Sequence, residues 1–306
     1  MSSFNDAILI LKPASYKAGT LYSVKPNAAA GDFTVARAST STRVNSDLKL
    51  EEMAINVPLL SYEGGCPHLE THAAYTQLLT YSNDFGNSSW TLLGATLTSG
   101  HSSPSVDYPT DAYKLVESSV DEVHYVAAQS ITSSGTDYTC SVYAKKGENN
   151  FLQFFHSQGG GHIDFDLNTG SVGSVGSTFS DGVITELLNG WYRCSAKLAS
   201  SVTGSTTVYI TLVSSSTATR AASYTGDGTS GLYIFGANLT ETTYAHPYAY
   251  TNGATATVTD TNEQVALPTG VTTVTLTDYL GVETVDSSPA DPYIIPVGKW
   301  SKIIMT

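Results

Sequence analysis

Asn189-Gly190-Trp191-Tyr192-Arg193-Cys194-Ser195-Ala196-Lys197-Leu198 joins a turn signal to an unbroken apolar and polar alternation. Asn-Gly readily takes the positive φ that a hairpin turn requires, so the segment opens on a turn. Tyr192, Cys194, Ala196 and Leu198 then alternate with Trp191, Arg193, Ser195 and Lys197. A period of two over eight residues reads as a strand with one buried face. Residues 138–144 repeat the pattern, with Tyr138, Cys140, Val142 and Ala144 as the core set and Thr139, Ser141 and Tyr143 opposed. Further strands are expected at 208–213 and 232–239, joined by 125–131, 151–156 and 162–167. No segment between them keeps a helical period, so the spacing predicts an all-β sandwich or jelly roll rather than a βαβ fold.

Composition agrees with strands and turns. Of 306 residues only 13% are charged while 41% are hydrophobic, and 26 glycines and 11 prolines interrupt the chain too often for long helices. The net charge of −13, with 14 Lys and Arg in the whole chain, argues against duplex nucleic acid or an anionic membrane surface as a partner. The early apolar run at residues 7–11 is too short for a secretory signal or a membrane span, so the chain is expected to start at Met1. Cys66, Cys140 and Cys194 are too few and too far apart for a disulfide framework or a CxxC metal site. They are expected to be reduced, with Cys140 and Cys194 buried. A disulfide between those two stays open if they face each other across the sandwich.

Three regions follow. Residues 1–74 have a different texture, with strand candidates at 7–11 and around Tyr22, and read as an extended attachment region. Residues 75–242 carry the alternations of the sandwich. Residues 243–306 are Thr-rich, with Pro247, Pro268, Pro289, Pro292 and Pro296, and end in an apolar stretch at 293–305 that holds Trp300. Such a tail is expected to dock on its own chain or to join copies of it.

Several phrases in fixed order carry a resemblance. They are Tyr16-Lys17-Ala18-Gly19-Thr20-Leu21-Tyr22-Ser23-Val24-Lys25-Pro26, Gly31-Asp32-Phe33-Thr34-Val35-Ala36-Arg37-Ala38-Ser39, Thr42-Arg43-Val44-Asn45-Ser46, Tyr62-Glu63-Gly64-Gly65-Cys66-Pro67 and Leu79-Thr80-Tyr81-Ser82-Asn83-Asp84-Phe85 with Trp90 after it. Ser141-Val142-Tyr143-Ala144-Lys145, Asn189-Gly190-Trp191-Tyr192-Arg193-Cys194 and Tyr224-Thr225-Gly226-Asp227-Gly228-Thr229-Ser230-Gly231-Leu232-Tyr233-Ile234-Phe235-Gly236-Ala237 continue them. Over roughly residues 16–250 the chain resembles bacteriophage and prophage appendage proteins, of the tail-fibre or head-fibre (spike) type, that carry a carbohydrate-binding-module-like jelly roll. The resemblance implies a non-enzymatic virion structural protein on the particle's exterior. Its implied partners are other virion proteins and host cell-surface glycan, and its implied assembly is a homotrimer. Two departures stand out: the segment from His68 to Gln77 replaces a leucine-rich stretch, and the tail after Thr251 has no counterpart in the family.

For glycan attachment, Tyr143, Trp191 and Tyr209 are the candidate platform, since alternation sets them opposite the core positions Val142, Tyr192 and Val208. The same alternation also allows the sheets to bury them. No cofactor is implied apart from a structural calcium ion of the kind such jelly rolls hold, with Asp84 and Asp227 as candidate ligands; Gly236-Ala237 stands where those modules commonly carry acidic residues. A glycan depolymerase is the rival class, resting on Asp164 and Asp166, which share a strand face with His162, although a solvated outer face explains that spacing equally well. A third class is an internal virion connector with no ligand. His68 and His72 have i, i+4 spacing but no HExxH pattern and no third ligand, and no nucleophile elbow, phosphate loop or dinucleotide fingerprint is present.

Overall fold

A computed structural model of the chain describes residues 6–17, 20–25 and 34–306. Met1, and the Ala18-Gly19, Pro26 and Gly31-Asp32-Phe33 parts of the quoted phrases, lie outside them. The protein is all-β: among the described residues the helical segments are two 3-10 turns, Glu63–Gly65 and Leu188–Gly190. The chain divides into two compact units, Tyr75–Thr257 and a second that joins Met1–Ala74 to Val258–Thr306. The 243–306 tail is therefore not a module of its own. Its first fifteen residues belong to the sandwich, and the rest folds with the N-terminal region.

The strands of the sandwich are Thr91–Leu93 (β1), Ala95–His101 (β2), Ala112–Glu117 (β3), His124–Ala127 (β4), Tyr138–Lys146 (β5), Phe151–His156 (β6), His162–Asp166 (β7), Ser171–Val175 (β8), Phe179–Glu186 (β9), Trp191–Leu198 (β10), Val208–Val213 (β11) and Gly231–Thr240 (β12). One sheet runs in the order β2-β3-β12-β5-β10-β9, the other β8-β7-β6-β11-β4-β1, and neighbouring strands are antiparallel. From β3 through β6, and again from β10 through β12, the chain passes back and forth between the sheets. The turn into β10 forms as its sequence dictates, with Asn189 at φ 60° and Gly190 at φ 75°.

The two inner faces complement each other in volume. Cys140, Val142 and Ala144 of β5 and Cys194 and Ala196 of β10 are small, and all are buried. The opposite sheet supplies Leu152, Phe154, Ile163, Phe165, Ile210 and Leu212 to the same core. Alternating small and large residues across the interface lets the layers interdigitate at native density. Cys140 and Cys194 lie on adjacent strands of one sheet, opposite Ala196 and Val142, and not across the sandwich; all three cysteines are free.

In the second unit the last strand, Gly298–Met305, is central. It pairs with Leu9–Lys17, with Val274–Asp278 and with His68–Thr71. Leu9 and Leu11, Leu276, Leu69, Trp300, Ile303 and Met305 close one core. The two ends, which look coreless in sequence, thus supply each other's core. His68 and His72 fall on and just after a strand, not on a helix. His68 Nδ1 lies 3.0 Å from the Cys66 carbonyl and His72 Nε2 lies 3.3 Å from Ser41 Oγ, so they do not form a metal pair.

Candidate functional site

An open cleft of 450 Å³ lies on the sandwich unit, lined by Asn83, Asp84, Ser99, Gly100, Thr110, Asp111, Tyr113, Tyr250 and Asn252. Five pieces of chain build it, one of them β3 with Tyr113. The 81–87 segment is anchored by Phe85, which packs 4.7 Å from Trp90 and edge-on to Tyr113, while the Trp90 indole donates to the Tyr81 carbonyl. That anchoring places Asn83 and Asp84. The β2–β3 loop brings Thr110 and Asp111, β2 brings Ser99 and Gly100, and the 250–252 segment is held by a bridge between Tyr81 and Asn252.

Inside the cleft Tyr113 donates its hydroxyl to Asp84 Oδ1 at 2.8 Å. Asn83 Nδ2 reaches Asp111 Oδ2 at 3.4 Å while its Oδ1 accepts the Gly236 amide. Tyr250 is 37% exposed and stacks on Tyr108 with ring centroids 4.6 Å apart. Burial, followed by the Asp84 carboxylate, pushes the Tyr113 phenol up to about 12. The result is an accessible aromatic ring beside two carboxylates and two amides. Such a set lays a ring against an apolar sugar face and takes hydroxyls at its rim. Strand β2 continues from this cleft into a second of 430 Å³, lined by His101, Ser102, Lys145, Lys146, Gly147 and Tyr233. Asp84 and Asp111 are exposed and lack the apolar surround that a proton-donating acid of glycoside hydrolysis needs.

The sequence candidates are placed elsewhere. Tyr143 is 2% exposed, because the 246–249 segment crosses its sheet face: Tyr248 meets it edge-on at 6.1 Å and Arg193, which donates to the His246 carbonyl, sits over its ring. Trp191, on the same face of the neighbouring strand, is also 2% exposed. Neither ring is open to a ligand. Tyr209 is half-buried on the outer face of the other sheet, where Phe155 covers one side of it at 4.2 Å and Tyr125 meets it at 4.8 Å. Of the three proposed platform residues it alone keeps an accessible surface.

Asp84 and Asp227 do not converge on an ion. Asp84 binds Tyr113 at the start of β3, whereas the Asp227 amide is bound by Glu117 at its end, about 13 Å away at strand rise. Asp227 spends its carboxylate on its own loop, accepting from the amides and hydroxyls of Thr229 and Ser230, which hold it well below the usual carboxylate range. Among the described residues no group of three or more His, Cys, Asp and Glu side chains could hold a metal ion.

The Asp164 and Asp166 pair separates as well. Asp166 Oδ1 accepts two amides of the turn that follows it, those of Asn168 and Thr169. Asp164 is fully buried, not solvated: the 215–221 loop covers its sheet face, Gln153 donates to its Oδ1 at 2.7 Å, and burial pushes it up to about 7. The cleft residues Tyr250 and Asn252 were not legible in the sequence as site residues, since they fall in a segment that reads as tail.

No protein-family model matches this chain, and no curated protein matches it.

Proposed function

We propose that this protein is a non-enzymatic structural and adhesive appendage on the outside of a phage particle, whose sandwich is a carbohydrate-binding-module-like jelly roll that binds host glycan at the Tyr250 cleft. The observation that carries the binding half is the open 450 Å³ cleft, in which an exposed tyrosine ring stands beside Asp84, Asp111, Asn83 and Asn252. The adjoining basic cleft, with Lys145 and Lys146, gives a longer sugar chain room to continue. The crossing of strands between sheets is consistent with a jelly-roll path. The virion half rests on the ordered phrases of the sequence. A homotrimer likewise rests on the resemblance alone, because the two ends already bury each other within one chain. Labelling intact particles with an antibody to the folded protein tests the display. Surface labelling in symmetric positions is expected, and labelling only after disruption of the particle favours the internal connector.

A further inference from the structure

The outer face of the second sheet carries a polar cluster that the cleft does not use. Register places Thr211, Gln153 and Asp164 in one row and Tyr209, Phe155 and His162 in the next, across β11, β6 and β7. The 215–221 loop lies over them. Its hold is polar: Ala221 N donates to Gln153 Oε1 at 2.7 Å, Arg220 donates to the His156 carbonyl at 2.6 Å, and the Ser216 carbonyl accepts from Ser174 N at 2.8 Å. Arg220 also sits over the Phe155 ring at 4.8 Å.

Beneath this cover Thr211 Oγ1 and Arg220 Nε are buried without a hydrogen-bond partner, and both ring nitrogens of His162 and Asp164 Oδ2 have no well-aligned one, facing only the backbone of Ala218 in the loop. Asp164 and Thr211 are fully buried. A buried polar group left unpaired or poorly paired is destabilising, so their gathering on one face calls for a partner. The mixture says which kind. Arg220 Nε can only donate, the Asp164 carboxyl and Thr211 hydroxyl donate or accept, and a neutral imidazole does one at each nitrogen. A simple anion would meet Asp164 and a simple cation would meet Arg220. Hydroxyl groups, which both donate and accept, fit all of them, and the Phe155–Tyr209 stack supplies the aromatic wall that a water cluster does not need. The loop suits a movable cover: it contains only Ser, Thr, Ala and Arg220, and Ala221 sits at φ 50°, a conformation unfavourable for a residue with a Cβ.

We propose that this face is a second ligand site, one that takes the hydroxyls of a single neutral sugar residue under the 215–221 loop. It spans three strands, about 10 Å, the reach of one or two sugar rings. It does not rest on the cleft reading above.

The test is a titration of protein labelled with ¹⁵N in its histidine rings, using glucose, galactose, N-acetylglucosamine and glycerol in turn. At least one sugar is expected to shift the His162 ring signals saturably, with glycerol weaker. Thr211→Val is expected to weaken that binding about tenfold with no loss of melting temperature, and Tyr250→Ala to leave it unchanged. If Thr211→Val does not fold, Asp164→Asn serves in its place, keeping the shape and changing the donor set. Absence of any saturable His162 shift, which would leave ordered water as the only occupant, overturns the proposal. So does undiminished binding in the folded Thr211→Val protein, or in Asp164→Asn where that stands in.

Discussion

Tyr113 and Asp84 are joined by a 2.8 Å hydrogen bond that ties the start of β3 to the segment ahead of β1, and this bond forms one wall of the cleft. Because burial and Asp84 push the Tyr113 phenol up to about 12, it remains a donor throughout the neutral range. Tyr113→Phe should therefore release the Asp84 carboxylate and loosen the wall. A hydrogen bond to a charged group contributes about 1.5–3 kcal/mol, so glycan affinity should fall roughly tenfold or more by calorimetry, with the fold retained.

Asp164 predicts a pH dependence with a definite sign. Its folded carboxyl titrates near 7 because burial raises it from 3.8. Between about 4 and 7 the native state holds a proton that the unfolded chain has released, so stability falls as pH rises through that window and levels off above it. Asp164→Asn should flatten this slope in a series of melting curves. An unchanged slope would mean that Asp164 is solvated in the native protein.

The three thiols should differ sharply. Cys140 and Cys194 are buried in the core, and burial pushes both up, Cys140 to about 12, whereas Cys66 is exposed. Thiolate is the reactive form. A thiol reagent should therefore modify one cysteine in the native protein and three after denaturation.

In the second unit Ile303 lies opposite Leu276 and is 2% exposed, so Ile303→Ala opens a cavity in the shared core of the two chain ends. Its cost should be about 2–5 kcal/mol in urea unfolding. A change under 0.5 kcal/mol would show that the ends are not packed this way.

How much of this was legible in the sequence depends on the range of the interaction. Trp191–Leu198, Phe151–His156 and Val208–Val213 form where the alternation puts them, because period two is a local property of a strand with one buried face. Strands β1, β2, β8 and β9 escape the sequence reading because they are edge strands, three residues long in β1 and carrying exposed Ser, Thr and Gly in the others, and β3 escapes it because adjacent Leu115 and Val116 break its alternation. Tyr143 marks the limit more clearly. Alternation correctly set it opposite Val142, but what covers that face is a segment about a hundred residues on, with Tyr248 in it, and no local pattern announces such a cover. The same holds for Asp164, whose spacing with Asp166 suggested an outer face while the Ser- and Thr-rich 215–221 loop that buries it reads as linker. The partnership of the two chain ends is longer in range still, joining Leu9 to Met305.

Glycan binding at the Tyr250 cleft is tested by a glycan array run in parallel with the wild-type protein and Tyr250→Ala. Removing an aromatic platform costs about 1–3 kcal/mol by analogy with base stacking, so the wild type should bind a defined subset of surface glycans and the variant should lose at least tenfold in affinity for them while melting at the same temperature. Wild-type signal no higher than background across the array, or equal binding by the variant, would contradict it.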